Sequence, residues 1–420
     1  MRFRGPGAPF DATVEVPADK SLSHRALILA AMAEGRSRAS RLGPGRDVAA
    51  TIAAVRALGA SVEGTTISSP GVEAWRHPTS DIDAGNSATT MRLLAGAVAG
   101  RPFTTTIRGD VSLMRRPMGR LVAPLTTLGA SVEVSPTGTP PVVVSGATLR
   151  GADITLPAPS AQVRTATAFA AVQAGGVTTI SSPEGYRDHT ERWLGHLGLG
   201  AWLPDGRFEI RPGPVPPLDV ALPGDSSSAA FLWVAAAIIP GARVATPRVS
   251  LNPGRVGLLR ALGTMGAEVD VVVTEEVLGD PVGDVAVSGV ALRGIELAGV
   301  DTLRALDELP ALAVAAAHAD SPSTVAGAGE LRAKESDRIA GTVAMIHALG
   351  GEAEEAPDGF VVRPQALTGG LVHGGGDHRI AMAAAVAASS GIEVAVEGFG
   401  AAGVSWPGFA EALEAMWSSR

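Results

Sequence analysis

The chain has 420 residues, a net charge of −8, 46% hydrophobic residues and no cysteine. That length exceeds one ordinary core, so two or three domains are expected. The acidic balance argues against a nonspecific nucleic-acid surface, and the lack of cysteine excludes disulfides, thiolate metal sites and a cysteine nucleophile.

Met1–Phe10 carries two arginines but no hydrophobic signal core, so the expected compartment is the cytoplasm. Ala12–Val16 reads as a strand and Arg25–Met32 as a helix, with Asp19-Lys20-Ser21-Leu22-Ser23-His24-Arg25 at their junction. Free backbone N–H groups and the helix dipole favour anions at such a junction, and Lys20 and Arg25 add charge there. Ser21 is read either as the N-cap or as an anion contact. Lys20 and Lys334 are the two lysines of a chain that otherwise uses arginine, which marks both as positions where a compact, deprotonatable charge matters.

Asp47–Leu58 is the next predicted helix, with Val48, Ile52, Val55 and Leu58 on its apolar face, and Ser61–Glu63 enters a sheet. The phrase Val55-Arg-Ala-Leu-Gly-Ala-Ser-Val62 returns as Leu125-Thr-Thr-Leu-Gly-Ala-Ser-Val132, with weaker echoes at Gly198, Gly266 and Gly350. The interval is about 70 residues as far as Gly266 and longer, 84, from there to Gly350, so six such α/β modules fill the chain. In each phrase the glycine supplies a left-handed helix end and the alternation after it starts a strand.

Further helix starts follow at Asp83–Thr90, Pro159–Gln162 and Arg187–Thr190, with a cationic turn at Gly109–Pro117; together they point to an anionic ligand. Val142–Val144, Val271–Val273 and Gly359–Arg363 read as strands. The apolar runs Ala229–Pro240 and Ile380–Ala388 fall short of the roughly 20 residues a bilayer needs, so no membrane span is expected. In the second half carboxylates join the cations, at Asp307-Glu308, Lys334–Arg338 and Asp377-His378-Arg379. Such mixtures read either as surface ion pairs or as proton-transfer chemistry beside an anion. There is no metal-ligand spacing and no phosphate-binding Gly-x-x-x-x-Gly-Lys-Ser/Thr loop, so neither a metal nor a nucleoside triphosphate is expected.

Taken in order, these phrases resemble the enolpyruvyl transferase family, on the branch that uses shikimate 3-phosphate. They are Lys20-Ser-Leu-Ser-His-Arg-Ala-Leu27, Gly85-Asn-Ser-Ala-Thr-Thr-Met-Arg-Leu-Leu94, Gly109-Asp-Val-Ser-Leu-Met-Arg-Arg-Pro-Met118 and Ser160-Ala-Gln162. Then come Arg187-Asp-His-Thr-Glu-Arg192, Pro223-Gly-Asp-Ser-Ser-Ser-Ala-Ala230, Leu331-Arg-Ala-Lys-Glu-Ser-Asp-Arg338 and Asp377-His-Arg-Ile-Ala-Met382. The resemblance implies a two-domain inside-out α/β barrel of six βαβαββ units, three per domain. It divides the chain into residues 1–16 with 226–420, and residues 17–225. The hinge falls near Pro17 and Gly224-Asp225, and the active site lies in an interdomain cleft that closes when shikimate 3-phosphate binds.

The implied reaction moves the enolpyruvyl group of phosphoenolpyruvate to the 5-hydroxyl of shikimate 3-phosphate, through a tetrahedral ketal phosphate, and releases phosphate. By the same resemblance Asp307 orients the hydroxyl and Glu335 protonates and later deprotonates C3. Lys20 touches both substrates, and Lys334 supports the phosphate. Arg116, Arg338 and Arg379 hold phosphoenolpyruvate, with Asn86 and Ala88 beside them. Ser21, Arg25, Ser160, Ala161, Gln162 and Arg187 bind shikimate 3-phosphate, and His378 orders its neighbours. No cofactor is implied, and a monomer is expected.

The chain departs from the common family pattern at Ala18, Ala88 and Tyr186. The added methyl at Ala88 implies crowding of a longer inhibitor and reduced sensitivity to glyphosate. Ala18 and Tyr186 read either as repacking or as a changed acceptor. Competing readings are an enolpyruvyl transferase acting on UDP-N-acetylglucosamine, a non-catalytic anion-binding relative and an RNA-phosphate-processing enzyme. The first usually has a cysteine acid and Lys-Asn in its first motif, the second should have lost Asp307, Glu335 or a phosphate arginine, and the third needs a nucleotide site not found here.

Overall fold

The computed structural model describes residues 1–419. The chain forms two compact units, neither contiguous in sequence. The first comprises Met1–Pro17, Pro223–Glu275 and the chain from Pro281 onward; the second comprises Ala18–Leu222 with Glu276–Asp280.

Each unit holds three small mixed sheets. One module of the second unit shows how sequence order becomes sheet order. Its elements are a strand (Ile82–Asp83), a helix (Ala88–Val98), a strand (Thr104–Arg108), a helix (Val122–Thr127) and two strands (Ser131–Glu133, Val142–Ser145). The first two strands pair in parallel across the helical crossover, and the last strand then pairs antiparallel with both Thr104–Arg108 and Ser131–Glu133. The neighbouring module ending at Ile210 has the same order. In two modules the first strand comes from a distant part of the chain: Asp219–Ala221 lies parallel to Glu34–Ser40, and Asp11–Thr13 parallel to Arg243–Ser250. The phrase glycines take the left-handed backbone their position requires, with φ of 111° at Gly59, 114° at Gly129, 76° at Gly198, 107° at Gly266 and 83° at Gly350.

The expected closed barrel is not present. Among the described residues the six sheets are open ribbons of three or four strands, each with two edges, and none closes on itself. Closure around a filled interior takes about eight strands, and a four-stranded module stops well short of that.

Buried helices fill each unit. In the second, Ala88–Val98 packs against Lys20–Met32 and Ala161–Ala171; in the first, Ser226–Ala237, Leu309–Ala317 and His378–Ala387 pack on one another. Every residue of the latter three is buried, so they show no polar face. Alanine and glycine make the close packing possible. A Cβ on Gly96 would stand 1.9 Å from the Ala166 carbonyl oxygen, so only glycine permits this approach of two helix backbones. The apolar runs near 229–240 and 380–388 are thus core helices, and no helix among the described residues is long and apolar enough to cross a membrane.

Candidate active site

In the second unit, cations gather where the buried helices begin. The first helix starts at Lys20, five residues earlier than the apolar pattern indicated, because Asp19 caps it by accepting from the Leu22 amide at 2.9 Å. Ser21 is therefore not the cap, and its hydroxyl is left without a protein partner among the described residues. The Lys20 ammonium donates to Asp47 Oδ2 at 2.9 Å. Arg25, one turn on, is buried and donates from Nε to Thr190 Oγ1 and from Nη2 to Thr165 Oγ1, both at 2.8 Å, and from Nη1 to the Ser21 carbonyl at 3.0 Å.

Burial pushes the Arg25 guanidinium down to about 10; Glu191, Asp280 and Asp19 pull the other way, and the charge of Arg187 adds to the fall. Lys20, Arg25 and Arg187 thus share one electrostatic neighbourhood. His24 between them is held well below the ordinary histidine value, first by burial and then by Lys20 and Arg25. Its neutral ring meets Thr51 Oγ1 at 2.6 Å; Thr51 meets Thr90 at 2.6 Å, and Thr90 donates to Ser87 Oγ at 2.8 Å. Ser87 caps the Ala88–Val98 helix, so this chain of hydroxyls fixes the turn that carries Asn86 and Ala88.

Asn86 is held from two sides. Arg116, buried, donates to its Oδ1 at 2.6 Å, and its amide donates to Asp110 Oδ2 at 2.8 Å. Ser160 caps the Ala161–Ala171 helix, with Ala161 and Gln162 in its first turn. Gln162 accepts from Arg92 Nη1 and donates to Thr89 Oγ1 at 2.8 Å. Tyr186 packs its ring under the Arg164 guanidinium at 4.2 Å, and burial raises its phenol to about 12. Tyr186, half-buried, thus packs on the Arg164 side chain, and Ala18 is buried.

The first unit contains the acids. Arg338, only 2% exposed, opens the Arg338–Ala348 helix and reaches three carboxylates: Asp307 Oδ1 at 3.0 Å, Glu335 Oε2 at 2.5 Å and Asp377 Oδ2 at 2.8 Å. Burial alone would lower its proton affinity, but Asp377, Glu335 and Asp307 together outweigh it and raise the guanidinium above its usual range. Lys334 joins Asp307 Oδ1 at 3.5 Å. Three sequence clusters separated by tens of residues therefore meet on one buried fork, the geometry for which arginine is suited and lysine is not. Asp377 also caps the next helix, its Oδ1 accepting from the Arg379 amide at 2.8 Å, and the Nδ1 of buried His378 lies 3.9 Å from that same oxygen.

Several partners carried no signal in the sequence. Asp47 and Thr165 lie in ordinary helical text, and Arg92 and Thr190 have only their places in family phrases and, for Thr190, in a helix start. Arg255 donates to Asp225 Oδ1 at 2.6 Å and to Ser227 Oγ at 3.0 Å. Asp280 accepts from Trp193 at 3.0 Å and meets His189 Nδ1 at 2.9 Å, from a five-residue segment far from both in sequence. No cluster of metal-ligating side chains occurs among the described residues.

The fold is one used by solved enolpyruvyl transferases: the chain matches NikO from Streptomyces tendae with a TM-score of 0.77 and 17% identity, covering 99% of this chain and 96% of that one. The family follows from closer comparisons. The model of the family described as EPSP synthase (3-phosphoshikimate 1-carboxyvinyltransferase) matches residues 5–413. A 3-phosphoshikimate 1-carboxyvinyltransferase from Desulforudis audaxviator is 43% identical over 412 residues, covering 96% of each chain. The structure of an EPSP synthase from Acinetobacter baumannii matches with a TM-score of 0.86 and 35% identity, covering 98% of this chain and 97% of that one. The chain belongs to the EPSP synthase family.

Proposed function

We propose that the two clusters divide the work of the family's reaction between them. The chain is a transferase of aromatic amino-acid biosynthesis that moves the enolpyruvyl group of phosphoenolpyruvate to the 5-hydroxyl of shikimate 3-phosphate and releases phosphate. Lys20, Ser21, Arg25, Ser160, Ala161, Gln162 and Arg187 take the shikimate 3-phosphate; Arg116, with Asn86 and Ala88 beside it, meets phosphoenolpyruvate together with Arg338 and Arg379. Asp307 accepts from the attacking hydroxyl as the C–O bond to C2 forms, and Glu335 delivers the proton to C3. Elimination then expels phosphate, with Glu335 taking a proton back from C3 and Lys20 and Lys334 supporting the leaving group. His378 orders the acids. The reading needs both units to act on the same pair of substrates, in an enzyme that works as a cytoplasmic monomer.

The observation that carries these roles is the Arg338 fork, which holds Asp307 and Glu335 on the same guanidinium, with Lys334 at the shared oxygen. General acid–base groups must be held within reach of one reacting centre, and two acids fixed on one guanidinium support that reading. The test is phosphate release from phosphoenolpyruvate with shikimate 3-phosphate, shikimate or UDP-N-acetylglucosamine as acceptor, on the parent and on Glu335→Gln. Turnover with shikimate 3-phosphate alone is expected, with kcat falling by roughly 10²–10⁴-fold in the variant. A variant with parental kcat removes Glu335 from proton transfer.

A further inference from the structure

We infer that Glu308 is the positioning residue of Arg379: it anchors one edge of that guanidinium and leaves the other for phosphoenolpyruvate. The inference rests on the assignment of Arg379 to that substrate made above. Glu308 ends the short Leu306–Glu308 turn and is 1% exposed, directly after Asp307. Its Oε1 accepts from Arg379 Nη1 at 3.2 Å and from the Ser227 hydroxyl. Ser227 in turn receives Arg255 Nη2 at 3.0 Å, and that same nitrogen donates to Asp225 Oδ1 at 2.6 Å. The result is a buried ladder, Asp225–Arg255–Ser227–Glu308–Arg379, that ends on the arginine.

Two features make this an orienting device rather than an ordinary buried pair. A charge taken out of water is tolerated when paired and hydrogen-bonded, and a pair built only for stability would use both carboxylate oxygens. Glu308 Oε2 is buried with no protein partner, and so is Arg379 Nε. The contact is therefore end-on, through one oxygen and one nitrogen, and not the two-bond fork that arginine and carboxylate form when nothing else competes. The end-on geometry occupies Nη1, while Nη2 makes no hydrogen bond to the described residues. An anion meeting Arg379 thus finds a guanidinium already fixed in direction, with its ordering cost met during folding.

The experiment compares Glu308→Ala, Glu308→Gln, Arg379→Ala and the Glu308→Ala/Arg379→Ala double variant, with KM measured separately for each substrate. Glu308→Ala should raise KM for phosphoenolpyruvate about tenfold or more, which corresponds to about 1.4 kcal/mol, and leave that for shikimate 3-phosphate within about twofold. Glu308→Gln keeps an acceptor oxygen at the same reach and should recover most of the loss. The double variant should be no worse than Arg379→Ala alone. If Glu308→Ala does not fold, Glu308→Asp, which keeps the charge but retracts the oxygen, should raise the same KM. An unchanged KM for phosphoenolpyruvate in the folded Glu308 variants, with Arg379→Ala impaired, overturns the role of Glu308. An unchanged KM in Arg379→Ala overturns the assignment of Arg379 itself and the inference with it.

Discussion

Replacing Arg338 with methionine tests the claim that one guanidinium holds the acid cluster together. Methionine follows the arginine stem as far as Nε, so the packing of the stem is kept, but the guanidinium is removed and three carboxylates lose a cation. Asp377 is fully buried, while the side chains of Glu335 and Asp307 are 12% and 15% exposed. Removing one partner from a buried ion pair costs about 3–5 kcal/mol, because the remaining charge stays desolvated. Asp377 keeps Ser336 Oγ at 3.0 Å and the Arg379 amide at 2.8 Å, and Asp307 keeps Lys334, so about 4 kcal/mol is a reasonable expectation. For a unit of this size, that means a fall in Tm of roughly 8–16 °C. Thermal and urea unfolding of the parent and variant measure it. Arg338→Lys should fall in between, since an ammonium cannot serve three acids at once. Adding Asp377→Asn to the methionine variant should recover part of the loss by removing the most deeply buried charge. A methionine variant within about 1 kcal/mol of the parent refutes the reasoning, for the three bonds would then contribute no more than surface contacts.

Other perturbations address packing, acid stability and the inhibitor. Gly96→Ala places a methyl on the Ala166 backbone and should destabilise the second unit by about 1–3 kcal/mol or more, whereas Gly195→Ala, whose Cβ meets nothing closer than 3.8 Å, should be neutral or slightly stabilising in thermal unfolding. His24 and His318 both have proton affinities depressed by burial, so below the reference value of 6.5 the unfolded chain takes up protons that the folded chain refuses. Stability should therefore fall as pH drops through that window, by up to about 1.4 kcal/mol per pH unit for each histidine, and His24→Gln should flatten the slope of urea midpoints between pH 7.5 and 5. An equal slope in the variant removes His24 from that account. Ala88→Gly should lower the glyphosate concentration needed for half-inhibition by roughly tenfold or more, the scale of one methyl in a close-fitting site. An unchanged titration curve rules out crowding by Ala88.

What the sequence made legible was local. Helix starts, phrase glycines and strands such as Gly359–Arg363 follow from capping, left-handed backbone and alternation, all of which act within a few residues. The start of the first helix was misplaced because Asp19, not Ser21, supplies the cap, and the polar residues after it obscured the apolar period. Closure into a barrel, carried over from the family resemblance, was the clearest error, and helix and strand periodicity could not correct it because they do not say whether a sheet's edges meet. The site residues were recognisable as clusters, yet their partners were not. Nothing in Arg46-Asp47 announces that Asp47 binds Lys20, and no spacing rule brings Asp377 to Arg338 from 39 residues away. Such pairings depend on which helix ends converge, which is settled by packing of apolar faces elsewhere. Glu308 stood in view beside Asp307, but without the fold its neighbour drew all the chemistry.

The division of the chain has a consequence for the order in which it is made. During synthesis Ala18–Leu222 emerges as a block carrying all three sheets of its unit, including the returning strand Asp219–Ala221, before most of the other unit exists. Domains tend to fold as units as they leave the ribosome, so this block is the first that can do so. It remains incomplete until Asp280 arrives to meet His189 and Trp193. The N-terminal strand Arg2–Arg4 waits longer still, because its partner is Glu393–Glu397. Arg2–Arg4 is thus made before nearly all of the two units and is among the last segments to find its place, and a nascent chain stalled near residue 250 would present one nearly finished body with that strand still unpaired.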